Sequence, residues 1–168
     1  MVSDGRGFFR LVLTYSLVML VAFLAVGVFY REFSKAFLGA APGVEATYYL
    51  SLAHGHTLVA GALIPLALAA TAYIAEGALG ASPDYRGLRK AFITYAAGSV
   101  AAVALLIYKG AGIVYYYQLT GSVEVAEQAL FLGSHALREA LYGTAHLVMG
   151  AGLVWAVAKL LAAIRRAG

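Results

Sequence analysis

Four apolar blocks, from about Phe8 to Phe29, Tyr48 to Ala75, Ala91 to Tyr117 and Ala129 to Ile164, run through the chain. Each exceeds the ~20 residues that a helix needs to cross a hydrocarbon core about 30 Å thick. In hydrocarbon every backbone N–H and C=O has to be satisfied within the protein, so blocks of this length become helices. The expected fold is all-α: an integral membrane four-helix bundle, up-down-up-down, in a single domain over residues 1–168. Composition excludes a soluble enzyme, because 62% of residues are hydrophobic and only 12% charged, against roughly 25% charged in soluble domains. The first block is longer than the ~7–15-residue core of a signal peptide and no A-x-A-like site follows, so it reads as a retained span. Ala41-Pro42-Gly43, Gly80-Ala81-Ser82-Pro83-Asp84 and Thr120-Gly121-Ser122 read as the three breaks.

Lysine and arginine placement sets the orientation. Arg6, Arg10, Arg86, Arg89, Lys90, Lys159, Arg165 and Arg166 share one side with Asp4, Glu76 and Asp84, which makes that side strongly basic and cytoplasmic. Arg31, Lys35, Lys109 and Arg138 lie on the other side with Glu32, Glu45, Glu124, Glu127 and Glu139. Both termini then face the cytoplasm, and the protein is a multi-pass protein of the cell membrane. The net charge of +4 describes topology, and nothing further supports nucleic-acid binding. Cysteine is absent, which removes disulfides, thiolate metal sites and covalently attached heme. Asparagine is absent and glutamine occurs twice, a depletion of thermolabile residues that suits a thermophile.

All four histidines, His54, His56, His135 and His146, fall in the second and fourth spans, in the outer half of the membrane. Ionisable groups there are expensive and mark function by default; the plain alternative is four imidazoles each bonded to a neighbouring hydroxyl or carbonyl. His54 and His56 stand about 200° apart around a regular helix, so both serve one site only if the helix breaks at Gly55. His135, Arg138, Glu139, Tyr142 and His146 recur at helical spacing and form one polar seam turned into the bundle.

A rise of ~1.5 Å per residue puts His146 about 5 Å, His56 and Lys109 about 9 Å, His54 about 12 Å and His135 about 21 Å outward of the midplane. His56 and His146 are thus placed to face each other, with His54 as a substitute for His56, while His135 reaches the headgroups. A porphyrin ligated by a helical histidine lies against residues three and four positions away. Gly143 and Gly150 flank His146, and Ala53 and Ala60 flank His56, leaving a flat shelf beside each; leucines flank His54, and Phe131, Arg138 and Glu139 flank His135. Small residues equally permit close helix packing. An unpaired Lys109 would cost roughly 2.5–3.5 kcal/mol on insertion scales, so it snorkels outward or meets an anion. Glu139 or a heme propionate would serve, with Arg31 at the end of the first span holding a second propionate. Tyr48, Tyr49, Tyr115, Tyr116 and Tyr117 are assigned to the outer aromatic belt.

Phe29-Tyr30-Arg31-Glu32-Phe33-Ser34-Lys35, His54-Gly55-His56-Thr57-Leu58-Val59, Lys109-Gly110 and the stretch from Gly143 to Gly150 around His146 touch every span. In these stretches the chain resembles an uncharacterised family of small four-span membrane proteins. That family has a second histidine-threonine pair where this chain has Gly55-His56-Thr57, usually arginine in place of Lys109, and no counterpart of His135. The second span is also similar to the heme-ligating span of heme-copper oxidase catalytic subunits, which implies b-type heme here but not oxygen reduction.

Three readings stand at this level. In the first, heme b is held by His56 and His146 as axial ligands, with Arg31 and Lys109 at the propionates and Gly143 and Gly150 as the shelf. Bis-histidine ligation would serve electron transfer with a quinol or respiratory-chain partner, whereas one histidine and an open face would bind oxygen or nitric oxide. In the second, the chain binds or transports copper or zinc, held by His54, His56 and His146. In the third, the chain is a non-catalytic accessory subunit of a respiratory complex. The oligomeric state is open, a homo-oligomer included.

Overall fold

The computed structural model describes residues 2–37 and 41–168, with side chains except at residues 2–3, 33–35, 37 and 41–44. Among the described residues all regular structure is helical: α1 (Val2–Phe37), α2 (Ala41–Leu58), a π-turn (Val59–Leu63), α3 (Ile64–Leu79), α4 (Tyr85–Thr120), α5 (Val123–Ala129), a tight turn (Leu130–Gly133) and α6 (His135–Ala167). Four stretches are long and apolar enough to cross a membrane: Asp4–Glu32, Glu45–Leu79, Tyr85–Thr120 and His135–Ala167. They run up-down-up-down. Gly5 lies against Tyr85 and Lys159 against Asp84, so the start of α1, the start of α4 and the end of α6 meet at one end of the bundle, hereafter the terminal end.

Helix boundaries follow local chemistry. Gly80 caps α3 with a positive φ of 65°, and residues 80–84 form the expected break. Gly121 ends α4 at φ 71°, a conformation glycine adopts without a Cβ penalty. Ala41-Pro42-Gly43 opens α2 rather than forming a loop, since proline is accommodated in a first turn where its missing N–H has no partner to lose; residues 38–40 lie outside the described residues. The fourth span starts later than the apolar pattern indicates. Ala129 ends α5, Leu130–Gly133 form the tight turn, and α6 begins at His135, where the Ser134 hydroxyl accepts the Leu137 N–H at 3.1 Å.

The second span is continuous in sequence and split in structure. Pro65 cannot donate to the carbonyl of Gly61 and its ring crowds it, which a regular helix cannot absorb. The π-turn takes up the extra residue, and the Tyr95 hydroxyl of α4 donates to the Ala60 carbonyl at 2.6 Å. α3, beyond the turn, packs on α6, whereas α2, before it, packs on α1 and α4 and makes almost no contact with α6.

α4 is the hub, and its tightest neighbour is α6. A Cβ on Gly98 would lie 2.7 Å from the Ala145 carbonyl oxygen, and one on Gly152 would lie 2.8 Å from that of Ala91. These two glycines let the backbones meet, the device available to helices that have no hydrophobic drive to associate in lipid. Phe8, Val12, Leu68, Leu88, Phe92, Tyr95 and Leu160 fill the core around them toward the terminal end. Leu17, Val21, Leu24, Leu147 and Val154 face outward, as lipid contact requires.

Gly98→Val and Gly152→Val should each destabilise the bundle by about 3 kcal/mol, the upper range for overpacking, because backbone cannot yield as a side chain does. Gly77→Ala, where a Cβ meets nothing, should be neutral; denaturant titration in detergent micelles measures all three. At the terminal end, Asp84 accepts the Lys159 ammonium at 2.8 Å and the Gly87 N–H at 2.9 Å, and these bonds hold its carboxyl below the ordinary value of 3.8. A depressed carboxyl stabilises the fold above the unfolded pKa and loses that contribution as pH falls through the folded one. Asp84→Ala should therefore cost about 1 kcal/mol at neutral pH, as loss of an N-cap does, and the difference from wild type should vanish in strong acid.

Candidate functional site

At the end of the bundle away from the termini, the divergence of α2 from α6 leaves a cleft of about 310 Å³ with α4 as its floor. Tyr48, Tyr49, Leu52 and His56 line it from α2, Leu106 and Lys109 from α4, and Arg138, Glu139, Tyr142 and His146 from α6. Tyr49 and His56 are seven residues apart, as are Glu139 and His146, so each helix turns one face into the cleft.

The two imidazoles face each other across it. Their ring centroids are 5.9 Å apart and the planes stand at 88°. Nδ1 of His56 lies 2.9 Å from the Leu52 carbonyl oxygen and Nδ1 of His146 lies 2.8 Å from that of Tyr142, each one turn back on its own helix. A carbonyl only accepts, so Nδ1 carries a proton in both rings and Nε2 is the nitrogen left for a further partner. The Tyr142 hydroxyl donates to the Leu105 carbonyl at 3.0 Å and ties α6 to the floor. Gly143 and Gly150, three residues before and four after His146, do not line the cleft, and a Cβ on either would meet nothing within 4 Å.

Lys109 is the buried charge of the site, with a side chain 4% exposed. Its ammonium donates to the Tyr49 hydroxyl at 2.6 Å and pairs with Glu127 at 2.9 Å. Glu127 stands on α5, so the partner is not the expected Glu139. Glu139 instead bonds Arg138 at 3.3 Å and lies 3.7 Å from the exposed His135. The short helix and the turn after it fold back over the end of α4. Phe131, buried against Tyr108 and Tyr142, and Leu132 both take positive φ, 52° and 57°. Bulky residues in that region are strained by roughly 1–3 kcal/mol each, and the burial of Phe131 offsets this.

The remaining candidates lie elsewhere. His54 points away from the cleft: its Nδ1 bonds the Phe23 carbonyl of α1 at 3.1 Å and its ring stacks on Phe23 at 4.1 Å. It fits into a notch made by Gly27, where a Cβ would lie 2.6 Å from the imidazole. Arg31 is exposed, 4.0 Å from Glu32, and does not line the cleft. Among the described residues no group of three or more His, Cys, Asp or Glu side chains is arranged to hold a metal ion. From sequence, Tyr49 belongs to the outer aromatic belt and Glu127 to the outer-side charges, with no site role for either. The seven-residue spacing to His56 was a usable signal for Tyr49; Glu127 had none, since its approach to Lys109 depends on the fold-back of α5.

Breaking the buried pair should be asymmetric. Glu127→Ala strands an ammonium that is 4% exposed, whereas Lys109→Met strands a carboxylate that is 37% exposed. Removing one partner of a buried pair costs about 3–5 kcal/mol, so Glu127→Ala should reach that range and Lys109→Met fall well below it. The double variant should recover most of the loss, as measured by unfolding in detergent.

No curated protein and no solved structure matches the chain. The family described as "Protein of unknown function (DUF2871)" matches over residues 9–163, which takes in all four long helices, the cleft and the Lys109–Glu127 pair. The chain belongs to that family.

Proposed function

We propose that the chain is a multi-pass protein of the cell membrane that binds b-type heme through His56 and His146 and passes electrons, with the cleft on the outer side and both termini in the cytoplasm. The observation that carries this reading is the pair of imidazoles 5.9 Å apart, each with its Nδ1 tied to a carbonyl of its own helix. Such a second bond fixes the ring, sets the tautomer and raises the basicity of the ligating nitrogen. The separation suits one ion taking a nitrogen from either side, with metal–nitrogen bonds of ~2 Å. When bound, heme supplies a one-electron couple, and two histidine ligands favour electron transfer over gas binding.

The chain's own residues complete the site. Arg138 lines the cleft where Arg31 does not and offers positive charge to a propionate, whereas the Lys109 charge is already paired with Glu127. Gly143 and Gly150 leave open space for a flat ring beside His146. A membrane quinol is the electron donor expected for a site within a chain of four apolar spans. The copper or zinc reading is less supported, because His54 is held against α1 and would have to leave it to join the pair.

The absorption spectrum of the purified, untreated chain tests this reading. It should show a Soret band that His56→Ala and His146→Ala each abolish and that His54→Ala and His135→Ala retain. Gly143→Leu combined with Gly150→Leu should lower heme occupancy severalfold while leaving the helices formed. A wild-type chain with copper, or with no chromophore, would sink the heme reading.

A further inference from the structure

We propose that Lys109 and Glu127 form a proton link between the histidine cleft and the surface at the far end of the bundle. The inference goes beyond the heme reading and holds whatever fills the cleft. It stands on two cavities that share a wall. One is the cleft, lined by Lys109 and Tyr49. The other, about 270 Å³, lies under the turn after α5 and is lined by Glu124, Glu127, His135 and Arg138 among others.

Two side-chain connections cross that wall. Arg138 lines both cavities, but a guanidinium does not give up its proton in proteins. The Lys109–Glu127 pair crosses it as well: the ammonium borders the cleft, and the carboxylate that accepts from it at 2.9 Å borders the outer cavity. At 2.9 Å the ammonium and the carboxylate are within proton-transfer reach. A buried ion pair is weak evidence of stability by itself, whereas ionisable groups at membrane depth recur in proton relays.

The step balances without any electron. Lys109 passes one proton to the Glu127 carboxylate, and the neutral amine takes one from a hydroxyl or water in the cleft, the Tyr49 hydroxyl already being bonded to it at 2.6 Å. The Glu127 carboxyl then releases a proton to water in the outer cavity, and the net result is one proton moved from cleft to surface. Tyr49 of α2 bonds the ammonium directly; Tyr48 and His56 of α2 and Arg138, Glu139, Tyr142 and His146 of α6 share the cleft with Lys109, and Glu124 of α5 and His135 and Arg138 of α6 share the outer cavity with Glu127.

The test is proton exchange between water and the Lys109 ammonium, followed by NMR of the full chain labelled with nitrogen-15 lysine in nanodiscs, as purified and without added heme. Glu127→Gln keeps a hydrogen-bond acceptor but removes the base, and should slow exchange at Lys109 at least tenfold. Glu124→Gln should leave it unchanged, and the exposed Lys159 serves as an internal reference. Glu127→Asp keeps the charge and retracts it, and should give an intermediate rate; it serves if the glutamine variant does not fold. Exchange that is unchanged or faster in Glu127→Gln would mean the carboxylate only holds α5 in place, and would overturn the proposal. Neither result depends on whether the chain carries heme, which the absorption spectrum decides separately.

Discussion

Hydrocarbon gives an ammonium nothing to bond, and the architecture of the far end is arranged around that fact at Lys109. The residue lies in the middle of a long apolar helix and its side chain is almost wholly buried. Its neighbours on α2 supply one phenolic oxygen but no negative charge. The compensating carboxylate comes from outside the four spans. The chain turns at Gly121, caps a seven-residue helix with Ser122, and lays Glu127 against the ammonium before returning through a left-handed turn to Ser134. Two strained residues in that turn are the structural consequence of bringing a charge back so far in so few residues, and Phe131 holds the turn down by packing on aromatic rings of α4 and α6.

The cleft beside that pair has its own cause, one turn below His56. A proline in mid-span interrupts the hydrogen-bond ladder, a π-turn absorbs the interruption, and a tyrosine from α4 bonds a carbonyl there. The two parts of the second span keep partly different company as a result: both pack on α1, but α3 also packs on α6 whereas α2 packs on α4. An unbroken helix would carry one set of neighbours along its length and close the gap between His56 and His146. π-turns are frequent beside functional sites, and in this chain the turn is what separates the two histidine-bearing helices.

The large features were legible in the sequence because they rest on length and period. Four apolar blocks predict four long helices, glycine-proline punctuation predicts the break at residues 80–84, and rise per residue puts His56 and His146 at similar depth; their rings do lie within 5.9 Å. What escaped depends on the third dimension. An apolar run cannot show that residues 129–133 stay outside the fourth span, since Ala, Leu and Phe serve a surface turn equally well. Charge counting placed Glu127 in a loop and could not tell that the loop folds inward. Gly98 and Gly152 look like any other small residues until the opposing backbone is known. His54 was judged by its leucine neighbours, whereas its environment is set by Gly27 on a different helix.

The distribution of packing then explains how an open cleft is compatible with a stable fold. In lipid the helices gain little from hiding apolar surface, so cohesion comes from close contact and from polar bonds between helices. Both are concentrated elsewhere. The Gly98 and Gly152 notches and the largest buried side chains lie from mid-bundle to the terminal end, where Asp84 also ties α4 to α6. At the far end the core is smaller, built on Ala46, Ile113, Val114, Leu130 and Phe131, and much of the cohesion there is polar, through Lys109, Glu127, Tyr49 and Tyr142. α2 and α6 are each anchored to α4 rather than to one another, so the space between His56 and His146 can widen or fill without breaking a contact that holds the bundle together.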